Sequence, residues 1–211
     1  MTLRNSALRA RSTPAATTPS VARMTLTDTI SVPSITAVSV TPDERAARLL
    51  EAGTAWNTRI AADHTNAYLS YKVTGQGEGA VASAIRAGKH SFLVDEPGAL
   101  AGDDLAASPV EFALGALISC QIVVYRLYAN ALGIQVDDID ITAEGDLDAR
   151  RLFGIDETVR AGFTEVRLQI SITGPESDER YQQLREAVDA HCPVLDLFAN
   201  PTPVLVSVAK A

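Results

Sequence analysis

Between Ser108 and Gly133 the chain carries a long apolar stretch with only two charged residues, Glu111 and Arg126. Ser108-Pro109 suits a helix start, and Gly133 suits the left-handed residue that closes a helix. The densest part, from Phe112 to Tyr125, already contains Ser119 and Gln121, and it is too short to cross a hydrocarbon core of ~30 Å. The stretch therefore predicts a buried helix that runs through a core, and everything else in the chain has to pack around it.

The flanking segments predict what does the packing. Thr41-Pro42-Asp43-Glu44 resembles a helix start with acids in its first turn, and Ala46, Leu49, Leu50 and Ala52 extend an apolar stripe, so residues 43 to 63 are expected to be helical. Ala67, Leu69, Tyr71 and Val73 alternate with polar residues as in a strand, which Gly75, Gly77 and Gly79 are expected to end in a turn. No Lys-Ser/Thr follows those glycines, so no nucleotide site is expected there. Residues 82 to 86 and 90 to 95 read as a hairpin around Ala87-Gly88-Lys89.

Beyond the apolar helix, strands are predicted over residues 138 to 144 and 164 to 173, a helix capped by Ser177, and a last strand through Val204, Val206 and Val208. This order gives an α+β fold with a mainly antiparallel sheet around a long buried central helix.

The 211 residues, 46% of them hydrophobic, suffice for one substantial core. Residues 1–42 read differently from the rest: they are rich in Ser, Thr, Ala and Pro, and hold Arg4, Arg9, Arg11 and Arg23 against a single acid, Asp28. They are expected to be a disordered extension, with a transit peptide or a true start at Met24 as the other readings. The net charge of −8 leaves no basic footprint, so neither nucleic acid nor a membrane is expected as a partner. Two cysteines are too few for a secreted disulfide framework, and a cytoplasmic location is expected.

Those two cysteines are the main candidates for chemistry. Cys120 sits among Leu117, Ile118, Val123 and Val124, where an apolar setting raises a thiol's pKa, so a reactive Cys120 requires a nearby cation. Cys192 precedes Pro193, which suits the first position of a short helix; as an N-cap beside His191 it is the more activated thiol on local physics. The bland readings stay open: Cys120 as a small core residue, Cys192 as a mere helix end. Glu111 completes a capping box with Ser108, a structural role, and nine residues at about 100° each place it across a regular helix from Cys120. No cysteine or histidine spacing suggests a metal site.

Ser108-Pro109-Val110-Glu111-Phe112 with Ala116-Leu117-Ile118-Ser119-Cys120, then Val159-Arg160-Ala161-Gly162-Phe163 and His191-Cys192-Pro193-Val194, resemble the landmarks of the OsmC/Ohr family of thiol peroxidases in the right order. Arg86 to Pro97, with Val94-Asp95-Glu96-Pro97, resembles its OsmC-like branch. The resemblance covers about residues 66–211 and implies an OsmC-like domain there, preceded by a helical segment at 43–65.

It also implies an intertwined homodimer with sites where subunits meet, and an enzyme that reduces organic hydroperoxides without a cofactor. By this carry-over, Cys120 is the attacking thiolate, which becomes a sulfenic acid. Cys192 resolves it as a disulfide, and a dithiol, in the family often a lipoyl group, restores both thiols. Arg86 and Glu111 are the candidates to hold the thiolate. The family's hydroperoxidase branch has its Glu directly after the motif proline, where Val110 stands here. The rival readings are a non-catalytic binding module for an apolar ligand, a redox-sensing protein, or a transferase using Cys192 alone.

Overall fold

The structure is a computed structural model that describes residues 39–210. The expected extension lies, up to residue 38, outside the described residues. From Val40 onward the chain forms one compact unit.

Helix α1 spans Pro42–Ala62. Its start is a reciprocal cap: the Glu44 N–H donates to Thr41 Oγ1 at 3.2 Å and the Thr41 N–H donates to Glu44 Oε2 at 2.9 Å. Arg45, Leu49, Gly53 and Ile60 form its half-buried stripe, and the helix lies against the long apolar helix.

Strands β1 (Val73–Glu78), β2 (Ala82–Ala87) and β3 (His90–Val94) make an antiparallel sheet in the order β1-β2-β3. Two expectations fail here. Residues 64–67 form a single tight helical turn and residues 68–72 pair with nothing among the described residues, so the alternation ending at Val73 is not a strand; Tyr68 and Tyr71 are largely open to solvent. Conversely, Gly75 and Gly77 lie inside β1, paired with Ile85 and Ser83, and the turn comes only at Gly79, whose φ of 52° suits glycine. A Cβ on Gly75 would lie 2.9 Å from the Ile85 side chain, so this glycine admits a close neighbour within the sheet.

The long helix, α2, spans Pro109–Leu132, capped by Ser108 and closed by Gly133 at φ 61°. Within this chain it is buried along one stripe, Leu117, Gln121, Val124, Tyr125 and Ala129, while Val123 and Leu127 on another flank stay exposed. Strands β4 (Asp138–Leu147) and β5 (Phe163–Thr173) pair antiparallel, bringing Ile139 opposite Ile172, Ile141 opposite Ile170 and Ala143 opposite Leu168 on the face towards the core. On the outer face Arg167 gathers Glu144, Asp146 and Glu165.

Helices α3 (Asp178–Asp189) and α4 (Pro193–Ala199) close the core. Its centre is Val124, Tyr125 and Ala129 of α2 with Ile134, Val136, Ile139, Leu184, Val188 and Cys192. Tyr181 anchors α3 by donating from its hydroxyl to the Gln135 carbonyl at 3.0 Å. The expected last strand is absent: after Asn200 the described residues have no secondary structure, and Val204, Leu205, Val206 and Val208 face solvent. A period of two produces a strand only where an edge receives it, and no described strand of this chain does so.

Candidate active site

Helix α2 carries Cys120 into the region where α3 ends and α4 begins. Backbone hydrogen bonds from Ala190 to Glu186 and from His191 to Val188 finish α3, and the chain turns directly into α4 with Cys192 as N-cap. His191 holds this corner on α2, since its ring packs against Tyr128 at 4.6 Å and its Nδ1 donates to the Ala187 carbonyl at 2.7 Å. The two cysteines therefore meet although they are distant in sequence. Cys192 is buried, 2% exposed, whereas Cys120 is half-buried.

Cys120 packs against the core cluster that includes Cys192, and Cys192 and the Val194 N–H both act on its thiol. Cys192 makes no side-chain cap bond of its own. Pro193 explains the arrangement. It has no N–H, so the first free donor of α4 belongs to Val194, the group that draws the Cys120 pKa down. The helix start that local sequence assigns to Cys192 thus serves the other cysteine. Side-chain patterns do not reveal Val194, because its contribution is a backbone group; the signal is the proline before it.

Burial is the largest influence on the Cys120 thiol and pushes its pKa up; the Val194 N–H opposes this, and contact with Cys192 again favours the protonated form. In the single chain, burial therefore favours the protonated Cys120 thiol.

The other two candidates lie apart from this pair. Arg86 is exposed on β2, opposite Thr74 and Ser91, and its Nε donates to the Gly88 carbonyl in the adjoining turn at 3.3 Å. Glu111 is engaged in its capping box: its Oε2 accepts from the Ser108 N–H at 2.7 Å and from the Ser108 hydroxyl at 2.6 Å, which lowers its pKa. A group of three or more His, Cys, Asp or Glu suited to a metal does not occur among the described residues.

A cleft of about 400 Å³ opens between β5 and α4. Leu117, Phe163, Leu168, Leu195 and Phe198 line it together with the polar Arg160, Thr164 and Glu165. Leu117 lies three residues before Cys120 on α2 and Leu195 three residues after Cys192 on α4, so both cysteine-bearing elements contribute to its floor. The sequence does not reveal this cleft, because its walls come from three separated segments.

The family model described as OsmC-like protein matches residues 102–207. Among solved structures, the chain resembles an OsmC-like protein from Mycoplasma pneumoniae, with a TM-score of 0.55 and 17% identity over 62% of this chain and 88% of that one. It also resembles the organic hydroperoxide resistance protein OsmC from Legionella pneumophila, with a TM-score of 0.50 and 22% identity over 63% of this chain and 90% of that one. At these identities the likeness establishes the fold. No curated protein matches the chain.

Proposed function

Because this chain belongs to the OsmC-like protein family, we propose that it is a thiol-dependent peroxidase that reduces organic hydroperoxides. The observation that carries the proposal is the packing of its only two cysteines into one core cluster. In this reading the Cys120 thiolate attacks the outer oxygen of R–O–O–H and the O–O bond breaks. One oxygen stays on sulfur as a sulfenic acid, and the alkoxide takes a proton and leaves as the alcohol. The Cys192 thiol then condenses with the sulfenic acid, releasing water and forming a Cys120–Cys192 disulfide, and an external dithiol reduces it by exchange.

The packing of Cys120 against the cluster that holds Cys192 supports the second step. The first step needs a cation to draw Cys120 towards the thiolate, because burial acts the other way. In the proposal a homodimer supplies this, with Arg86 from a second copy as the candidate. Support for a dimer comes from apolar surface that the single chain leaves open: Val123 and Leu127 on α2 and the segment around Leu205.

The test supplies cumene hydroperoxide and a dithiol to the wild type, Cys120→Ser and Cys192→Ser. Cys120→Ser should abolish turnover, and Cys192→Ser should permit one sulfenate-forming event. Equal activity of the wild type and Cys120→Ser overturns the proposal. A non-catalytic, redox-sensing reading is favoured by one observation, the engagement of Glu111 in its cap, and it predicts slow oxidation with no sustained turnover.

A further inference from the structure

The corner that carries Cys192 is closed by a side chain. In a continuing α-helix the His191 N–H would donate to the Ala187 carbonyl, but it donates to the Val188 carbonyl at 3.0 Å instead. The Ala187 carbonyl would then be one of the open acceptors at the end of α3, and the His191 ring fills it, with Nδ1 donating at 2.7 Å. The same ring packs against Tyr128 of α2, the centroids 4.6 Å apart and the planes tilted by 31°. One side chain thus closes α3 and ties its end to α2, and the next residue in the chain is Cys192.

Tyr128 and Cys120 stand on the same helix, eight residues apart, so a rise of 1.5 Å per residue fixes them about 12 Å apart along one rod. Holding His191 on Tyr128 therefore also sets where Cys192 lies relative to Cys120. Cys192 supplies no polar tether of its own, since it makes no side-chain cap bond and Pro193 has no N–H. A disulfide needs its Cα atoms within about 7 Å, and a corner free to slide along α2 would spend less time within that distance. We propose that His191 is a positioning residue for disulfide closure, and that its ring contact with Tyr128 raises the effective concentration of the Cys192 thiol at Cys120. The proposal rests on the peroxidase reading for its place in the reaction, the resolving step. The dithiol–disulfide equilibrium on which His191 acts exists without any peroxide.

The test equilibrates the full-length protein with reduced and oxidised dithiothreitol. The two protein thiols pass two electrons and two protons to oxidised dithiothreitol, giving the Cys120–Cys192 disulfide and reduced dithiothreitol. His191→Ala should lower the equilibrium constant for closure about tenfold, the scale of one aromatic contact, which raises the reduction potential by about 30 mV. His191→Phe keeps a ring against Tyr128 and should retain most of the wild-type value, although it loses the bond to Ala187. Tyr128→Leu should reproduce the effect of His191→Ala. The double variant should also lose about tenfold and not about a hundredfold, because both changes remove the same contact.

Every reading is taken well below the unfolding temperature of each variant, so that folded protein is compared with folded protein. If His191 serves only the stability of the corner, His191→Ala lowers Tm and leaves the potential of the folded protein unchanged, and that result overturns the proposal. An additive, hundredfold loss in the double variant overturns it as well. A tenfold shift carried by the ring contact, in a protein that turns over no peroxide, upholds His191 and removes the peroxidase reading instead. A wild type that forms no intramolecular disulfide with oxidised dithiothreitol overturns both.

Discussion

Cys120 on α2 packs against the core cluster that holds Cys192, the N-cap of α4, and each of Cys192 and the Val194 N–H acts on the Cys120 thiol. The half-buried Cys120 thiol thus lies in the same cluster as the buried Cys192 thiol. The expected consequence is a clean intramolecular disulfide. One equivalent of hydroperoxide should remove both titratable thiols of the wild type, leave the mass monomeric on a non-reducing gel, and be reversed by a dithiol. Cys192→Ser treated the same way should instead form a dimedone adduct at Cys120. Persistence of both thiols in the oxidised wild type would show that the contact does not lead to a bond.

Burial raises the Cys120 pKa in the folded chain, and this gives a pH dependence with a definite sign. Below the pKa of an unfolded cysteine, about 8.5, both states hold the proton and the group does not affect stability. Above it the unfolded chain loses the proton first, so the folded state loses stability as pH rises towards the folded pKa. Iodoacetamide should modify Cys120 in Cys192→Ser with a midpoint above that of a small-molecule thiol. A midpoint below it would mean that a cation reaches Cys120 in the assembled protein, the role proposed for Arg86 of a second copy.

How far the sequence can be read depends on whether each feature is local. The helix from Ser108 to Gly133, the alternation along β5 and the capping of α3 by Ser177 are set by neighbours a few residues away, and each is legible. The segment from Ala67 to Val73 and the tail around Val206 carry the same alternation but lack an edge to pair with in this chain. Gly75 and Gly77 read as breakers, yet a strand accepts glycine where Ile85 comes close. At the site, both cysteines are legible as candidates, and their contact is implied only by the family resemblance. The Val194 donor and the cleft at Arg160 depend on how separate segments meet, which no local pattern encodes.

Tyr125 lies in the centre of the core, 1% exposed, and burial, with Asp189 nearby, pushes its phenol up to about 12. An unfolded tyrosine ionises near 10, so stability should fall as pH rises from about 10 to about 12. Tyr125→Phe removes the ionisable group and should flatten this decline, read as denaturation midpoints between pH 8 and pH 11. An ultraviolet titration showing that all the tyrosines ionise together near pH 10 in the folded protein would contradict it.

Leu184 is fully buried on α3, within the cluster that includes Cys192 and residues of α2 and β4. Leu184→Ala should cost about 2–5 kcal/mol, as large-to-small changes in packed cores do. Because α3 leads directly into Cys192, the loss should also slow disulfide formation, measured as thiol disappearance in folded protein. Destabilisation below about 1 kcal/mol would mean that this packing is looser than the contacts imply.

Glu111 is the residue for which structure and family resemblance point to different roles. In the structure it serves fully as a cap, since both Ser108 donors end on its Oε2 and the Ser108 hydroxyl receives the Glu111 N–H at 3.4 Å. Ser108→Ala should therefore cost about 1 kcal/mol, or about 2–4 °C in Tm for a domain of this size. The same bonds depress the Glu111 pKa. Their contribution is present above the unfolded carboxyl's pKa of about 4.3 and is lost as pH falls through the lower folded value. The wild type and Ser108→Ala should thus converge in stability in acid. Glu111→Gln separates the two roles, because an amide oxygen can still accept from Ser108 but carries no charge to pair with an arginine. If Glu111 only caps α2, Glu111→Gln should keep peroxide turnover and lose only a few tenths of a kcal/mol. If it also aligns an arginine on Cys120, turnover should fall by an order of magnitude or more while Tm hardly moves.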